Sequence, residues 1–321
     1  MNPEPTEEEL ASFFAPSPLE QEVEKHLAVG RQWMTLRQPD RAVESFRAAL
    51  SLEPDNPFAH AQMALALTGV SRYNAARHEA QLALAGAPDY GFFHYVAGYI
   101  EWREGKLKAA RGHFEAAIEL DPEEADFHTA LAGVLHDLRQ FAEAERVARQ
   151  ALELEPDDAQ AHLILGLSLL DGGKKDEARA HFERAVELEP ESDSAHHGAA
   201  SFFLRTGDIE RARAHCREAL RLDPEDEGAR QTWVQVLGAR NWFYGAFWKW
   251  SLALSRLPMW GRLAVIFGLW LAMRLLDAWG DRNPGYSGAV SAVMMLYVVF
   301  CLYTWVAPGL FSWYLRRSNQ I

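Results

Sequence analysis

Proline recurs at Pro54, Pro88, Pro122, Pro156, Pro190 and Pro224, six times at intervals of 34 residues with no insertion or deletion. A period of this length constrains the fold more than any other feature of the chain. Self-similarity at twenty to fifty residues marks a stack of supersecondary units, each covering its neighbour's apolar face. Two further positions keep the same phase. Alanine stands at Ala42, Ala76, Ala110, Ala144, Ala178 and Ala212, and again at Ala49, Ala83, Ala117, Ala151, Ala185 and Ala219. A small residue recurs at Gly30, Ala64, Gly98, Ala132, Gly166 and Ala200. The spacing predicts two short helices per copy, A and B, joined by a tight turn. The small residues are expected where A meets B and where B meets the next A, since a larger side chain would push the backbones beyond normal packing distance. Proline follows helix B because it cannot continue a helix and restricts the residue before it. The phrases Leu52-Glu53-Pro54, Leu120-Asp121-Pro122 and Leu154-Glu155-Pro156 carry this punctuation.

The pattern resembles the tetratricopeptide repeat over residues 23–226, with copies at 23–56, 57–90, 91–124, 125–158, 159–192 and 193–226. The resemblance implies an all-α, right-handed superhelical solenoid whose concave face is lined by the A helices. Ala246, Ala253 and Pro258 continue the phase while Val234 departs from the small position, so 227–258 is read as a degenerate seventh repeat. Terminal repeats are commonly atypical because they cap the stack. Within 227–258, Phe243, Phe247, Trp250, Leu254 and Leu257 share one helical face. That helix, over 241–256, either packs as helix B of repeat seven or lies in a membrane interface.

In the family, ligand contacts come largely from the second, fifth, ninth and twelfth positions of helix A. Carried over, these are Phe58, Ala61, Leu65 and Thr68 in the second copy and Phe92, Tyr95, Tyr99 and Trp102 in the third. The fourth copy gives Asp126, Thr129, Gly133 and His136, and the fifth Gln160, Leu163, Leu167 and Leu170. The sixth gives Ser194, His197, Ser201 and Leu204. The resemblance therefore implies a peptide-binding face that includes Phe58, Leu65, Phe92, Tyr95, Tyr99, Trp102, His136, Leu163 and His197. The clamp of Lys, Asn and Arg by which some family members hold a C-terminal carboxylate is missing. Aromatic anchors beside an accommodating groove suit an extended or helical peptide with apolar side chains.

Histidine recurs in phase at His26, His60, His94, His128, His162 and His196. Helices packed about 8–10 Å apart hold equivalent positions too far apart to share an ion on bonds of about 2 Å, so the expected role is packing rather than metal binding. His78-Glu79 is not followed by a second histidine at the spacing of a zinc-protease motif, and no phosphate loop, dinucleotide fingerprint or GxSxG is present. No enzyme activity and no cofactor are expected.

Charge divides the chain. From Glu227 onward nine Lys/Arg face three acids, a net +6; the whole chain carries −13, which leaves −19 on residues 1–226. So acidic a front repels phosphate and argues against nucleic acid. The chain's two cysteines, Cys216 and Cys301, lie in different regions and imply no disulfide framework. The basic rear holds two apolar runs, 259–276 and 288–307, of lengths near a bilayer core at about 1.5 Å per helical residue. The intervening loop, 277–287, contains Asn283-Pro284-Gly285, and the tail is 308–321. A transmembrane hairpin is the expectation, with Trp242, Trp248, Trp250, Arg256, Arg262, Trp279, Arg316 and Arg317 at the interfaces. The side holding both ends of the hairpin has six Lys/Arg (Arg240, Lys249, Arg256, Arg262, Arg316, Arg317), against Arg274 and Arg282 on the loop side. That excess places the repeats and the tail in the cytoplasm, in the manner of a bacterial inner-membrane protein. The start, MNPEPTEEEL, lacks the basic and apolar regions of a signal peptide, and the acidic, proline-containing segment 1–22 is expected to be mostly disordered.

These features lead to a membrane-tethered protein-interaction scaffold or assembly factor. The alternative is a structural subunit of a transport or secretion complex that uses the hairpin as an intramembrane interface, with Gly288-xxx-Ala292 allowing close helix approach.

Overall fold

A computed structural model of the chain describes residues 17–240. Among them are thirteen helices and no strand. In chain order these are α1 (Pro18–Thr35), α2 (Pro39–Leu52), α3 (Pro57–Gly69), α4 (Tyr73–Gly86), α5 (Gly91–Arg103), α6 (Leu107–Leu120) and α7 (Ala125–Asp137). They continue as α8 (Phe141–Leu154), α9 (Ala159–Asp171), α10 (Lys175–Leu188), α11 (Asp193–Thr206), α12 (Ile209–Leu222) and α13 (Glu227–Arg240). The helix expected over 241–256, both apolar runs and the interface residues Trp242, Trp248, Trp250, Arg256, Arg262, Trp279, Arg316 and Arg317 lie outside the described residues. Among the described residues, no helix is long and apolar enough to cross a membrane.

The chain forms two compact units, one ending at Pro190 and one beginning at Glu191. In the first, α1–α10 are five A–B pairs. Each A helix packs on its own B helix, and each B helix on the A helix that follows. Consecutive A helices also touch, whereas consecutive B helices make no comparable contact among the described residues, so the A helices form the inner layer. Helix α1 reaches back to Pro18, into the segment 1–22. Ser17 accepts from the Glu20 N–H at 3.2 Å while the Glu20 carboxylate accepts from the Ser17 N–H at 2.7 Å. This Ser-x-x-Glu capping box satisfies two otherwise orphaned donors.

The recurring small position is where A meets B, and its size is matched to one partner. A Cβ on Gly30 would come within 2.3 Å of the Phe46 ring, on Gly98 within 2.9 Å of Phe114, and on Gly166 within 3.2 Å of Phe182. Where the small residue is Ala64 or Ala132, the residue sixteen positions on is Ala80 or Ala148 instead of phenylalanine. In the first five repeats glycine thus goes with phenylalanine and alanine with alanine, alternately, while in the sixth Ala200 goes with Cys216. The phenylalanines and the in-phase alanines are fully buried.

Each A–B turn passes through one left-handed residue at the same place in the period: Arg37 (φ 54°), Ser71 (φ 58°), Gly105 (φ 83°), Arg139 (φ 61°) and Gly173 (φ 89°). At each, the next N–H donates to a carbonyl five residues back, as Gln38 does to Trp33 at 2.9 Å and Lys106 to Glu101 at 2.8 Å. This bond closes the helix end. Helix B ends two residues before each repeating proline. The intervening residue is pushed off helical geometry, as at Glu53 (φ −134°, ψ 84°) and Asp121 (φ −139°, ψ 86°).

The second unit holds α11, α12 and α13. Helix α13 packs against both α11 and α12, and Ala200, Cys216 and Trp233 form its core with Leu220 and Leu237 alongside. Gly207 (φ 92°) makes the turn between α11 and α12.

Candidate functional site

The aromatic A helix is α5. Phe93 turns into the core, while Phe92, Tyr95, Tyr99 and Trp102 recur at helical spacing along another face. The Tyr95 and Tyr99 rings lie 6.5 Å apart and nearly parallel, at 17°. Tyr95 also stacks on Phe127 of α7 at 5.4 Å. Trp102 stands edge-on to Phe114 at 6.2 Å, and its Nε1 donates to Asp137 Oδ2 at 2.7 Å. It fits there because α7 has glycine opposite it: a Cβ on Gly133 would come within 2.4 Å of Trp102 Cη2.

Between α5, α7 and α9 lies a cleft of about 390 Å³. Tyr95, Tyr99, Trp102 and Arg103 line it from α5, Asp126, Thr129 and Ala130 from α7, and Gln160 and Ile164 from α9. Thr129 donates to Asp158 Oδ2 at 2.8 Å, and the other oxygen of Asp158 accepts from the Gln160 N–H at 2.8 Å. Among the described residues Asp126 has no hydrogen bond or ion pair of its own. It is exposed in the first turn of α7; partial loss of hydration there, then the charge of nearby Asp158, pushes its carboxyl above the ordinary value. The Tyr95 phenol is pushed up to about 12, mostly by burial, then by Asp126, Tyr99 and Asp158. Burial is the larger cause of both shifts, and the nearby carboxylates add to it.

The structure brings together three of the nine predicted peptide contacts, Tyr95, Tyr99 and Trp102, in one cleft. The other six lie elsewhere. Phe58 is 45% exposed but packs edge-on against Tyr90 and Phe93, both at 5.2 Å. Phe92 stacks on Tyr95 from outside the cleft lining, and Leu65 rests half-buried on the core. Leu163 is only 6% exposed, so it has little surface to give a ligand. His136 pairs with Asp171 at 3.0 Å, repeating one copy later the step by which Trp102 reaches Asp137, so neighbouring A helices are tied by polar bonds 35 residues apart. In the second unit, His197 meets Thr232 at 3.1 Å. Arg103, Ala130 and Ile164 were not singled out by sequence. They occupy positions next to the four that the resemblance supplied, so the face is wider than those four.

The recurring histidines have an unforeseen role. Nε2 of His60, His94, His128 and His162 lies 2.9–3.2 Å from the carbonyl of the repeating proline six residues earlier. The imidazole thereby supplies a donor to a carbonyl stranded past the end of helix B. With Nε2 donating, Nδ1 of His162 is left to accept from Nδ1 of His181 at 2.9 Å. In the second unit His196 and His215 approach in the same way at 3.1 Å. Among the described residues, no three His, Cys, Asp or Glu are placed to hold a metal ion.

Burial, then the facing histidine, holds His113, His181 and His215 below the ordinary imidazole value. Arg149 adds to this at His181 and Arg211 at His215, while Glu101 and Glu177 oppose it at His113 and His181. A depressed imidazole binds its proton more readily when unfolded. Its stabilisation is therefore complete above about 6.5 and is lost as pH falls below that through the folded value. His136 runs the other way: its hydrogen bond to Asp137, opposed by burial and reinforced by Asp171, raises its value. Its contribution is present below about 6.5 and lost as pH rises. Three rings against one predict a lower melting temperature at pH 5.5 than at 7.5. The difference should shrink in His181→Gln and His215→Gln when followed by circular dichroism; an unchanged difference in both variants rules the account out.

Cys216 is buried, its thiol donates to the Ala229 carbonyl at 3.3 Å, and burial pushes it up to about 12, far from the thiolate a nucleophile needs.

Comparison with known proteins bears on the repeat. A tetratricopeptide-repeat family model matches residues 62–125, 95–144, 129–193 and 165–227, together more than half of the chain. A second model of the same repeat matches 34–56. No curated protein sequence matches the chain. Among solved structures it is similar to pilF of Pseudomonas aeruginosa, at 16% identity and a TM-score of 0.52, over 67% of this chain and 98% of that one. It is also similar to PilW, described as a type IV pilus biogenesis factor, at 16% and 0.53, over 65% and 97%. A third likeness is to the Cut9–Hcn1 assembly of the APC/C, at 17% and 0.57, over 67% and 43%. At these identities the likeness concerns the fold alone. Paired helices at a 34-residue period, keyed together at one small position and matched by the same repeat model from residue 62 to 227, make the chain a member of the tetratricopeptide-repeat family.

Proposed function

We propose that the chain is a membrane-tethered protein-interaction scaffold that holds a peptide or helix of its partner in the cleft between α5, α7 and α9. The observation that carries this reading is the cleft itself: three aromatic side chains converge on an open space at the inner face of the A helices. Tyrosine and tryptophan supply large, rigid contact area and dominate binding energy where they cluster. The apolar runs 259–276 and 288–307 supply the tether, and the excess of Lys/Arg on the side holding both ends of the hairpin sets the repeats in the cytoplasm, at a bacterial inner membrane. The similar pilF and PilW structures add the repeat architecture and nothing about this chain's partner.

The test is crosslinking and capture from native membranes, comparing the wild-type chain with Tyr99→Ala/Trp102→Ala. Tyr95 is left intact because its ring also packs on Phe127. A partner captured by the wild type and reduced at least about tenfold in the variant, as loss of two aromatic anchors implies, supports the scaffold reading. Equal capture by both places the binding surface elsewhere.

A further inference from the structure

We infer that the cleft between α5, α7 and α9 selects a cationic side chain, a lysine or arginine of the bound peptide, which lies against the rings of Tyr99 and Trp102 with Asp126 as its counter-charge. The inference rests on the peptide-binding reading above and narrows it from apolar anchors to a basic one.

Three observations support it. First, the walls are the type that attracts cations. Aromatic faces carry negative charge density and draw an ammonium or guanidinium placed within about 6 Å. The chain already uses one ring in this way: the Arg103 guanidinium sits 5.8 Å from the Tyr99 ring and donates to the Tyr99 hydroxyl at 3.0 Å.

Second, the acid in the cleft has no partner. Asp158 is satisfied by Thr129 and by the start of α9, whereas Asp126 has no ion pair among the described residues. An apolar side chain entering the cleft would strip water from that carboxylate and give nothing back, which is costly. An anionic one would add repulsion to the cost. A cation removes both penalties.

Third, after burial, the carboxylates Asp126 and Asp158 contribute to the upward shift of Tyr95, and Asp158 to that of Asp126. The described part of the first unit agrees in sign, since residues 17–190 hold 30 Asp/Glu against 18 Lys/Arg, a net −12 that favours basic ligands.

Among the described residues, Arg103 is the one cation lining the cleft. It is exposed and competes with an incoming cation for Tyr99.

The test uses the full chain in nanodiscs and three short, fluorescently labelled alanine-based peptides. They differ only in the central residue: lysine, its uncharged counterpart norleucine, or glutamate. Fluorescence anisotropy is expected to show the lysine peptide binding about tenfold more tightly than norleucine and more tightly still than glutamate. Asp126→Asn should remove most of the lysine preference. Arg103→Gln should tighten lysine binding severalfold, a gain that damaged folding cannot imitate. Equal binding of lysine and norleucine peptides overturns the inference, as does a lysine preference unchanged in Asp126→Asn. If both peptides bind equally and both are lost in Tyr99→Ala/Trp102→Ala, the groove remains the binding site and only cation selection fails. Binding of none of the three overturns the cation site and counts against the groove as well.

Discussion

Phe114→Ala is expected to lower the free energy of unfolding by about 3–5 kcal/mol, the range for truncating a buried aromatic to alanine. Phe114 is fully buried and touches both Tyr95, at 5.7 Å, and Trp102, at 6.2 Å. Its ring lies against Gly98, where an added Cβ would come within 2.9 Å. Glycine has no side chain that could relax into the space the ring leaves, so the cavity persists and the cost stays high. Chemical denaturation of the wild type and the variant measures the change directly. A loss below about 1 kcal/mol, the scale of a surface substitution, would show that the cleft walls do not depend on this ring. The double variant Gly98→Ala/Phe114→Ala carries the comparison further. It converts the third repeat's pair into the Ala–Ala pair that the second and fourth repeats use at Ala64 with Ala80 and at Ala132 with Ala148. Gly98→Ala alone overpacks against the ring, at about 1–3 kcal/mol. That clash disappears once the ring is gone, so the double variant should be more stable than the two single losses added together.

Gly133→Ala is expected to weaken peptide binding at least tenfold while changing stability much less. The added methyl would meet Trp102 Cη2 at 2.4 Å, Cζ2 at 2.8 Å and Ile164 Cδ1 at 3.4 Å. An indole wedged against Phe114 on one side and hydrogen-bonded to Asp137 on the other must swing away. Trp102 and Ile164 both line the cleft, so its floor and one wall move together. Overpacking of this kind costs about 1–3 kcal/mol. Replacing a helical glycine with alanine returns up to about 1 kcal/mol through lower backbone entropy in the unfolded chain, so the two effects oppose each other. Binding has no such offset. Peptide titration alongside a thermal melt separates the two. Unaltered affinity in Gly133→Ala would mean that Trp102 does not touch the ligand.

Much of the architecture was legible before any coordinates because a repeat states its own boundaries. The prolines announce where helix B stops, and the in-phase alanines announce the buried seam. The size matching of Gly30 with Phe46 and Ala64 with Ala80 was also present in the sequence. It appears only when two positions sixteen residues apart are read as a pair, and the period alone does not suggest which pair to read. Of the six in-phase histidines His60, His128 and His196 are buried and the other three half-buried, and the bond that four of them make to a proline carbonyl depends on the angle at which the chain turns between repeats. The site was less legible. Tyr95, Tyr99 and Trp102 share a cleft because they lie on one face of one helix, which spacing predicts. Phe58 and Leu163 hold the family's ligand positions too. Neither lines the cleft: one is drawn to Tyr90 and Phe93, and the other is covered by its neighbours. Equivalent register is not equivalent exposure.

The inner layer of A helices has a thermodynamic consequence. A stack whose units touch only their immediate neighbours behaves as a one-dimensional lattice, in which a defect at one unit uncouples those on either side of it. In the first unit α5 and α9 are separated by α7, so what one repeat passes to the next-but-one must go through the repeat between. An occupant of the cleft touches all three helices at once. It adds a next-nearest-neighbour bond across α7, and it should slow amide exchange in α7 more than in the outer repeats, where fraying begins.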